Sequence, residues 1–308
     1  MPRIPPNVLD CVCYLYEGED DARAGREFGG TAFIVFVASQ FAGNGFLYAV
    51  TNRHVACQGA SILRVNTRDG GTDIFPFEPD DWLFHPKYDI AVVPVPIRSD
   101  IHRVSYIPVE SFATQEGINK SRLGPGDDVF MVGRFLDHDG GPINIPSVRF
   151  GNISVMPAPI EQEHIGMAYA FCIDLHSRSG YSGSPVFIYR TPGFDLEETT
   201  PENIRERQIL VAGRQMLMLL GIHFAQFPEE WEVRAGLTKM EAKPRVPLIR
   251  DGAYIKGLSG MTCVLPAWSI REVLDLPLLK QAREAGEMQE TERRAREGSP
   301  PEAEINKL

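Results

Sequence analysis

Three residues that lie far apart in the chain have side chains that together could hydrolyse an amide. Ser182 lies in Gly-Tyr-Ser-Gly-Ser-Pro, His54 follows Thr-Asn-Arg, and Asp89 follows a tyrosine and precedes an apolar run. A serine hydroxyl becomes nucleophilic when an imidazole removes its proton, and a carboxylate fixes the tautomer of that imidazole. Each residue alone has an ordinary structural explanation in a turn or at a strand end. Their co-occurrence predicts nucleophilic catalysis.

Two glycines flank the nucleophile candidate. Gly180 and Gly183 lie two residues before and one residue after Ser182. Glycine adopts positive backbone φ angles without a steric penalty, so the chain can turn tightly here. Such a turn can aim the amides of Gly180 and Ser182 at one point, where they would stabilise a developing oxyanion.

The elements that must position these residues are short apolar runs bounded by Gly, Pro, Asn and Asp. Runs rich in Val, Ile, Phe and Tyr at regular spacing are typical of the strands of barrels and sandwiches. A helical pattern occurs only near the end, at 266–274 and 278–296. The predicted strands form two series: 11–16, 31–37, 46–51, 61–65 and 90–95, then 128–135, 148–155, 168–175, 185–189, 216–224 and 260–265.

Residues 51–56, 89–92 and 180–185 resemble the three signature segments of trypsin-like serine peptidases, in that family's order of His, Asp and Ser. Weaker similarities at 29–35 and 124–154 extend the resemblance over roughly residues 29–274. It implies an all-β fold of two six-stranded antiparallel β-barrels with a C-terminal helix. It also implies a serine endopeptidase that needs no cofactor and forms a covalent acyl-enzyme. The implied catalytic triad is His54, Asp89 and Ser182, with an oxyanion hole at Gly180 and Ser182.

The resemblance predicts how the chain is divided. Residues 1–105 would form the first barrel with the histidine and aspartate, and 106–126 the connection between the barrels. Residues 127–275 would form the second barrel and a helix, with the serine. Residues 276–308 would be a charged tail that is helical at first and disordered from 298.

The similarity is greatest to bacterial glutamyl endopeptidases and heat-shock-type proteases. It places His223, Ser177 and His176 beside the substrate side chain that precedes the scissile bond. A histidine can donate a hydrogen bond to the side-chain oxygen of glutamate or glutamine, so we expect a preference for these residues. The alternative is that His223 is a buried, hydrogen-bonded strand residue.

The chain departs from the family in three places. Tyr181 stands where digestive members have an aspartate that receives a newly freed N-terminus, so activation by that ion pair is not expected. Residues 275–308 are too few for the PDZ module of the heat-shock-type proteases. The polar segments 191–215 and 226–258 are expected to be long loops, which either gate the cleft or dock a protein, or are insertions without a role.

Composition excludes some classes of partner. The net charge of −10, with 43% hydrophobic and 23% charged residues, indicates a soluble globular protein rather than a binder of nucleic acid or membranes. The start of the chain does not resemble a secretory signal. An odd number of cysteines without zinc-site spacing favours reduced, mostly buried thiols in the cytoplasm, and no metal is expected. The remaining histidines are expected at the surface: His85, His102, His138 and His164.

Two alternatives to constitutive protein or peptide hydrolysis remain open. The chain could be a catalytically silent binding module with a protease fold. It could also be a protease that a regulatory protein activates through the C-terminal tail or the long loops. Labelling of Ser182 by an activity probe distinguishes an active enzyme from a silent one.

Overall fold

The computed structural model describes residues 3–27, 29–41, 43–134, 141–162, 166–175, 180–190, 216–232 and 253–297. The predicted pocket residues His176 and Ser177 therefore lie outside the described residues, as do 191–215, 233–252 and the tail from 298.

The first lobe is one sheet with strand order β5-β4-β1-β2-β3-β7-β6, and β8 pairs in parallel with β2. Three short helices accompany the sheet: α1 (Pro6–Leu9), α2 (Glu19–Ala24) and α3 (Arg53–Cys57). The strands are β1 (Val12–Tyr16), β2 (Gly30–Ala38), β3 (Gly45–Thr51), β4 (Ile62–Asn66), β5 (Thr72–Phe75), β6 (Leu83–Phe84), β7 (Ala91–Pro94) and β8 (Ile107–Pro108).

The second lobe is a closed antiparallel barrel with strand order β10-β11-β14-β13-β12-β9. A short helix, α4 (Gln115–Lys120), precedes it, and α5 (Ala267–Leu274) and α6 (Pro277–Glu297) follow it. The strands are β9 (Asp128–Gly133), β10 (Ser147–Gln162), β11 (Gly166–Asp174), β12 (Pro185–Arg190), β13 (Met216–Glu232) and β14 (Tyr254–Pro266).

Strand β2 shows why the first lobe needs a continuous apolar run. Its alternate residues point to opposite faces. Phe33 and Val35 belong to a cluster that also contains Phe130 and Phe187 of the second lobe, whereas Ala32 and Ile34 belong to a separate cluster within the first lobe. Both faces of β2 are therefore buried, and the strand joins the cores of the two lobes.

The predicted fold class is confirmed: the protein is an all-β protein of two antiparallel lobes with a C-terminal helix. The strand count of the first lobe differs from the prediction, because β5, β6 and β8 left no recognisable apolar run: β6 and β8 have two residues each, and β5 is not buried. Short helices α1 to α4 also form, although the sequence pattern predicted helices only near the end.

The predicted loop 226–258 is wrong in part, because β13 runs on to Glu232 and β14 begins at Tyr254. This hairpin arm exposes Trp231, Tyr254 and Ile255, so it lacks the buried-face alternation by which a strand is recognised. Among the described helices, none is both long enough and apolar enough to span a membrane.

The seam between the lobes centres on Thr31, which is fully buried in β2. Its backbone N–H donates to the carbonyl of Ser182 at 2.9 Å, and its hydroxyl donates to the carbonyl of Gly180 at 2.8 Å. The same hydroxyl accepts the amide of Arg134 at 3.2 Å. Thr51 adds a bond at 2.8 Å from its own hydroxyl to the carbonyl of Thr31. Through its backbone and its side chain together, Thr31 thus contacts three other segments of the chain.

Replacing the hydroxyl of Thr31 by a methyl group should weaken this seam. In Thr31→Val the Gly180 carbonyl and the Arg134 amide lose a buried partner, and we expect the free energy of unfolding to fall by about 1–3 kcal/mol. Thr31→Ser keeps the hydroxyl and should lose less. Urea titration measures both variants, and a Thr31→Val protein as stable as Thr31→Ser would contradict the role given to this hydroxyl.

Candidate active site

His54 and Asp89 meet at the edge of the first lobe. His54 lies in the first turn of α3, directly after β3, and Asp89 lies in the loop before β7. The His54 Nδ1 is 2.6 Å from Asp89 Oδ2, and the backbone N–H of His54 donates to Asp89 Oδ1 at 2.8 Å. Asn52, the residue before α3, donates its side-chain amide to the Asp89 carbonyl at 2.9 Å. The aspartate is therefore held through both its side chain and its backbone.

Burial differs between the two partners. The Asp89 side chain is 6% exposed, whereas one third of the His54 side chain is exposed. A carboxylate accepts hydrogen bonds, so it favours the tautomer in which Nδ1 of His54 carries the proton. In the neutral ring Nε2 is then an acceptor, which is what a general base requires.

The predicted nucleophile turn lies on the second lobe, before β12. Gly180 and Gly183 have φ angles of +90° and +85°, as the sequence pattern predicted. A side chain at Gly183 would place its Cβ 2.0 Å from the Thr31 carbonyl oxygen, so the turn can approach β2 only with glycine there. The turn is partly exposed at Ser182 and buried on either side.

The structure joins His54 to Asp89, but no hydrogen bond in the described residues joins His54 to the Ser182 hydroxyl. The amides of Gly180 and Ser182 donate to no protein acceptor within the described part of the chain. Catalytic hydrogen bonds are often loose without substrate and tighten in the reactive complex.

Tyr181 anchors the turn, a role that sequence reasoning missed. Its side chain is fully buried, and its hydroxyl contacts the Ser147 hydroxyl and accepts a bond from Arg149 Nε at 3.1 Å. The Arg149 guanidinium also lies 5.6 Å from the centre of the Tyr181 ring. These partners come from β10, more than thirty residues away, so no local signal marks them.

His223 packs behind the turn rather than at the protein surface. Its backbone N–H donates to the Ser184 carbonyl at 2.9 Å, and its carbonyl accepts the Gly183 amide at 3.1 Å. Its ring is 3.1 Å, at Nδ1, from the carbonyl of Tyr181. A carbonyl only accepts, so Nδ1 carries the proton. His223 is 1% exposed, and this burial, followed by the nearby His54, lowers its pKa to about 4 despite the bond to Tyr181.

Two histidines contradict the prediction of surface positions. His85 and His102 are each 3% exposed. His102 accepts the Arg98 amide at Nδ1 and bonds Asp73 at Nε2, and His85 bonds Glu272. Local sequence marked them as polar turn residues, but partners brought from elsewhere in the fold allow them to be buried. His138 and His164 lie outside the described residues.

The two antiparallel lobes, with an imidazole–carboxylate pair on one and a glycine-flanked serine on the other, define a protein with a chymotrypsin-like peptidase fold. A model of the trypsin-like peptidase domain matches residues 30–191, just over half of the chain and a span that includes His54, Asp89 and Ser182. The chain therefore belongs to the trypsin-like peptidase domain family. No curated protein sequence matches the chain.

Several solved proteases have a similar fold at low sequence identity. The MamO protease domain from Magnetospirillum magneticum, in its apo form, is 15% identical with a TM-score of 0.47, over 86% of this chain and 96% of that one. The inactive form of Rv3671c protease is 15% identical with a TM-score of 0.43, over 86% and 88%. Deg5 is 15% identical with a TM-score of 0.38, over 71% and 81%.

The buried His223 makes stability depend on pH. Its pKa is about 4 in the folded protein and near 6.5 when unfolded, so the unfolded state binds more protons between these values. The contribution of neutral His223 to the free energy of unfolding is fully present above about pH 6.5. It falls by about 1–3 kcal/mol as the pH decreases toward 4. His223→Asn keeps a donor for Tyr181 but does not titrate.

We therefore expect urea unfolding at about pH 7 and at about pH 4.5 to show a smaller loss of stability on acidification for His223→Asn than for the unmodified protein. Equal losses in the two proteins would show that His223 is not protonated on unfolding in this range.

Proposed function

We propose that this protein is a serine endopeptidase in which His54, Asp89 and Ser182 form the catalytic triad. One observation supports this most strongly: both oxygens of the buried Asp89 carboxylate bind His54, one at the ring and one at the backbone. This double contact fixes the orientation of the ring as well as its tautomer. An aspartate that served only to end a loop would not need it.

The proposed reaction begins with Nε2 of His54 removing the proton of Ser182 Oγ as this oxygen attacks the carbonyl carbon of the substrate. The new oxyanion is bound by the amides of Gly180 and Ser182. Nε2 then gives its proton to the leaving amine, and the C–N bond breaks to leave an acyl-enzyme. Water, deprotonated by the same nitrogen, attacks the ester, releasing the acid and restoring the Ser182 hydroxyl. Asp89 stays ionised and stabilises the imidazolium.

The proposal also includes a preference for Glu or Gln before the scissile bond, read by His223 with Ser177 and His176. What supports this role is the place of His223 directly behind the Ser182 turn, where its ring donates Nδ1–H to the Tyr181 carbonyl.

A second candidate function is a protease that acts only when another protein completes the site. The missing bond between His54 and the Ser182 hydroxyl, within the described residues, favours it. A regulatory protein that binds the C-terminal helix or the long loops could supply the final alignment. A catalytically silent binding module is the extreme form of this alternative.

Labelling by a fluorophosphonate tests the triad directly. We expect the purified protein to be labelled and Ser182→Ala to remain unlabelled, because the probe reacts with an activated serine. Asp89→Asn should fold but lose about 10⁴-fold in kcat, since an amide in place of the carboxylate favours the wrong tautomer of the imidazole.

The control is Ser184→Ala, which removes a buried hydroxyl two residues from the nucleophile and should leave labelling intact. Labelling that survives in Ser182→Ala would exclude Ser182 as the nucleophile. A folded protein that is not labelled alone, but is labelled in the presence of a partner, would favour the second candidate.

Cleavage of a peptide library tests the specificity. We expect glutamate or glutamine before the scissile bond to raise kcat/KM by about tenfold or more over methionine, which has a similar length but no polar group at the end of its side chain. A strong preference for Arg or Phe would refute the specificity while leaving the triad unaffected.

A further inference from the structure

The loop that holds Asp89 is short and closed on itself. His85 donates its backbone N–H to the Ile90 carbonyl at 2.9 Å, and Ile90 donates its own to the Tyr88 carbonyl at 2.9 Å. These bonds restrict the backbone of Asp89 only if the start of the loop, at His85, is itself held in place. What fixes the start is the side chain of His85.

The ring of His85 lies inside this loop. Nδ1 accepts the backbone N–H of Tyr88 at 2.8 Å and that of Lys87 at 3.0 Å. The ring also lies against the Tyr88 ring, with centroids 4.7 Å apart. Because both partners of Nδ1 are donors, Nδ1 carries no proton, and in the neutral ring the proton is on Nε2.

Nε2–H of His85 donates to Glu272 Oε2 at 2.8 Å. Glu272 belongs to α5, whose Ile270, Val273 and Leu274 are fully buried in the core. The carboxylate itself is 57% exposed and remains solvated, whereas the histidine side chain is 4% exposed. A helix near the end of the chain thus holds, through one imidazole, the loop that carries the proposed catalytic aspartate.

We propose that His85 and Glu272 are positioning residues for Asp89. Glu272 orients the His85 ring, the ring holds the amides of Lys87 and Tyr88, and the loop in turn presents the Asp89 carboxylate to His54. Neither residue touches the reacting atoms. This inference rests on the proposed function, since it assigns Asp89 a catalytic role to be supported.

Four variants separate the links of this chain of contacts. His85→Ala removes the acceptor for both amides, whereas in His85→Asn the side-chain oxygen can accept from the following amides, as asparagine does in Asx turns. Glu272→Ala removes the acceptor for Nε2–H, whereas Glu272→Gln retains a carbonyl oxygen. Arg271→Ala is the matched control, because Arg271 lies on the same helix and bonds the exposed Asp275 instead.

The first measurement is steady-state hydrolysis of a peptide. We expect His85→Ala to lose about 10–100-fold in kcat with little change in KM, because misorientation of the base affects the chemical step. His85→Asn should recover most of this loss. Glu272→Ala should lose several-fold and Glu272→Gln less, while Arg271→Ala should match the unmodified protein. Equal kcat values for His85→Ala, Glu272→Ala and the unmodified protein would overturn the proposal.

The second measurement does not depend on turnover. The Nδ1 proton of His54, bonded to Asp89, should give a low-field proton NMR signal that His85→Ala and Glu272→Ala weaken or shift and that Arg271→Ala preserves. An unchanged signal in both alanine variants overturns the positioning role. If the unmodified protein fails to hydrolyse peptides, the proposed function fails, yet this signal still tests the positioning role. If His85→Ala does not fold, the half-exposed Glu272 supplies the decisive pair of variants.

Discussion

Thr31 donates its amide to the carbonyl of Ser182 and its hydroxyl to the carbonyl of Gly180, and through these bonds the Ser182 turn of the second lobe lies against a strand of the first. His54 and Asp89 belong to one lobe and Ser182 to the other, so any catalysis by the three requires the lobes to meet in a single register. Hydrogen bonds specify that register because they are directional, whereas the shared apolar core around Phe33 and Phe130 is not. The apolar core holds the two lobes together, and the hydrogen bonds of Thr31 fix how the lobes are positioned relative to each other.

The turn that carries Ser182 is held from behind by the hydrogen bonds of Tyr181. The hydroxyl of Tyr181 bonds Arg149 and Ser147, and the carbonyl of Tyr181 accepts a hydrogen bond from Nδ1 of His223. An arrangement of this kind needs no newly freed N-terminus to complete it. Among the described residues, neither the Gly180 amide nor the Ser182 amide has a protein acceptor, as the proposed oxyanion site requires.

The imidazole–carboxylate pair is supported in a similar, layered way. Asn52 and the backbone of His54 hold Asp89 from the side of α3, and the His85 loop holds it from the side of α5. An aspartate that is almost fully buried loses its contacts with water, and several hydrogen bonds within the protein must replace them. The same bonds that make its burial tolerable also orient it, so stability and the proposed catalysis depend on the same contacts.

The sequence alone predicted most of the longer strands, because short apolar runs with turn residues at their ends are local properties. It also predicted the positive φ angles of Gly180 and Gly183, whereas the catalytic trio of His54, Asp89 and Ser182 stays a prediction. It did not reveal that His85 is buried, that Tyr181 binds Arg149, or that His223 donates its Nδ1 proton to a backbone carbonyl. Each of these depends on partners between about thirty and two hundred residues away. The sequence determines which residues are polar, but whether a polar group can be buried depends on the hydrogen-bond partners that tertiary folding brings to it.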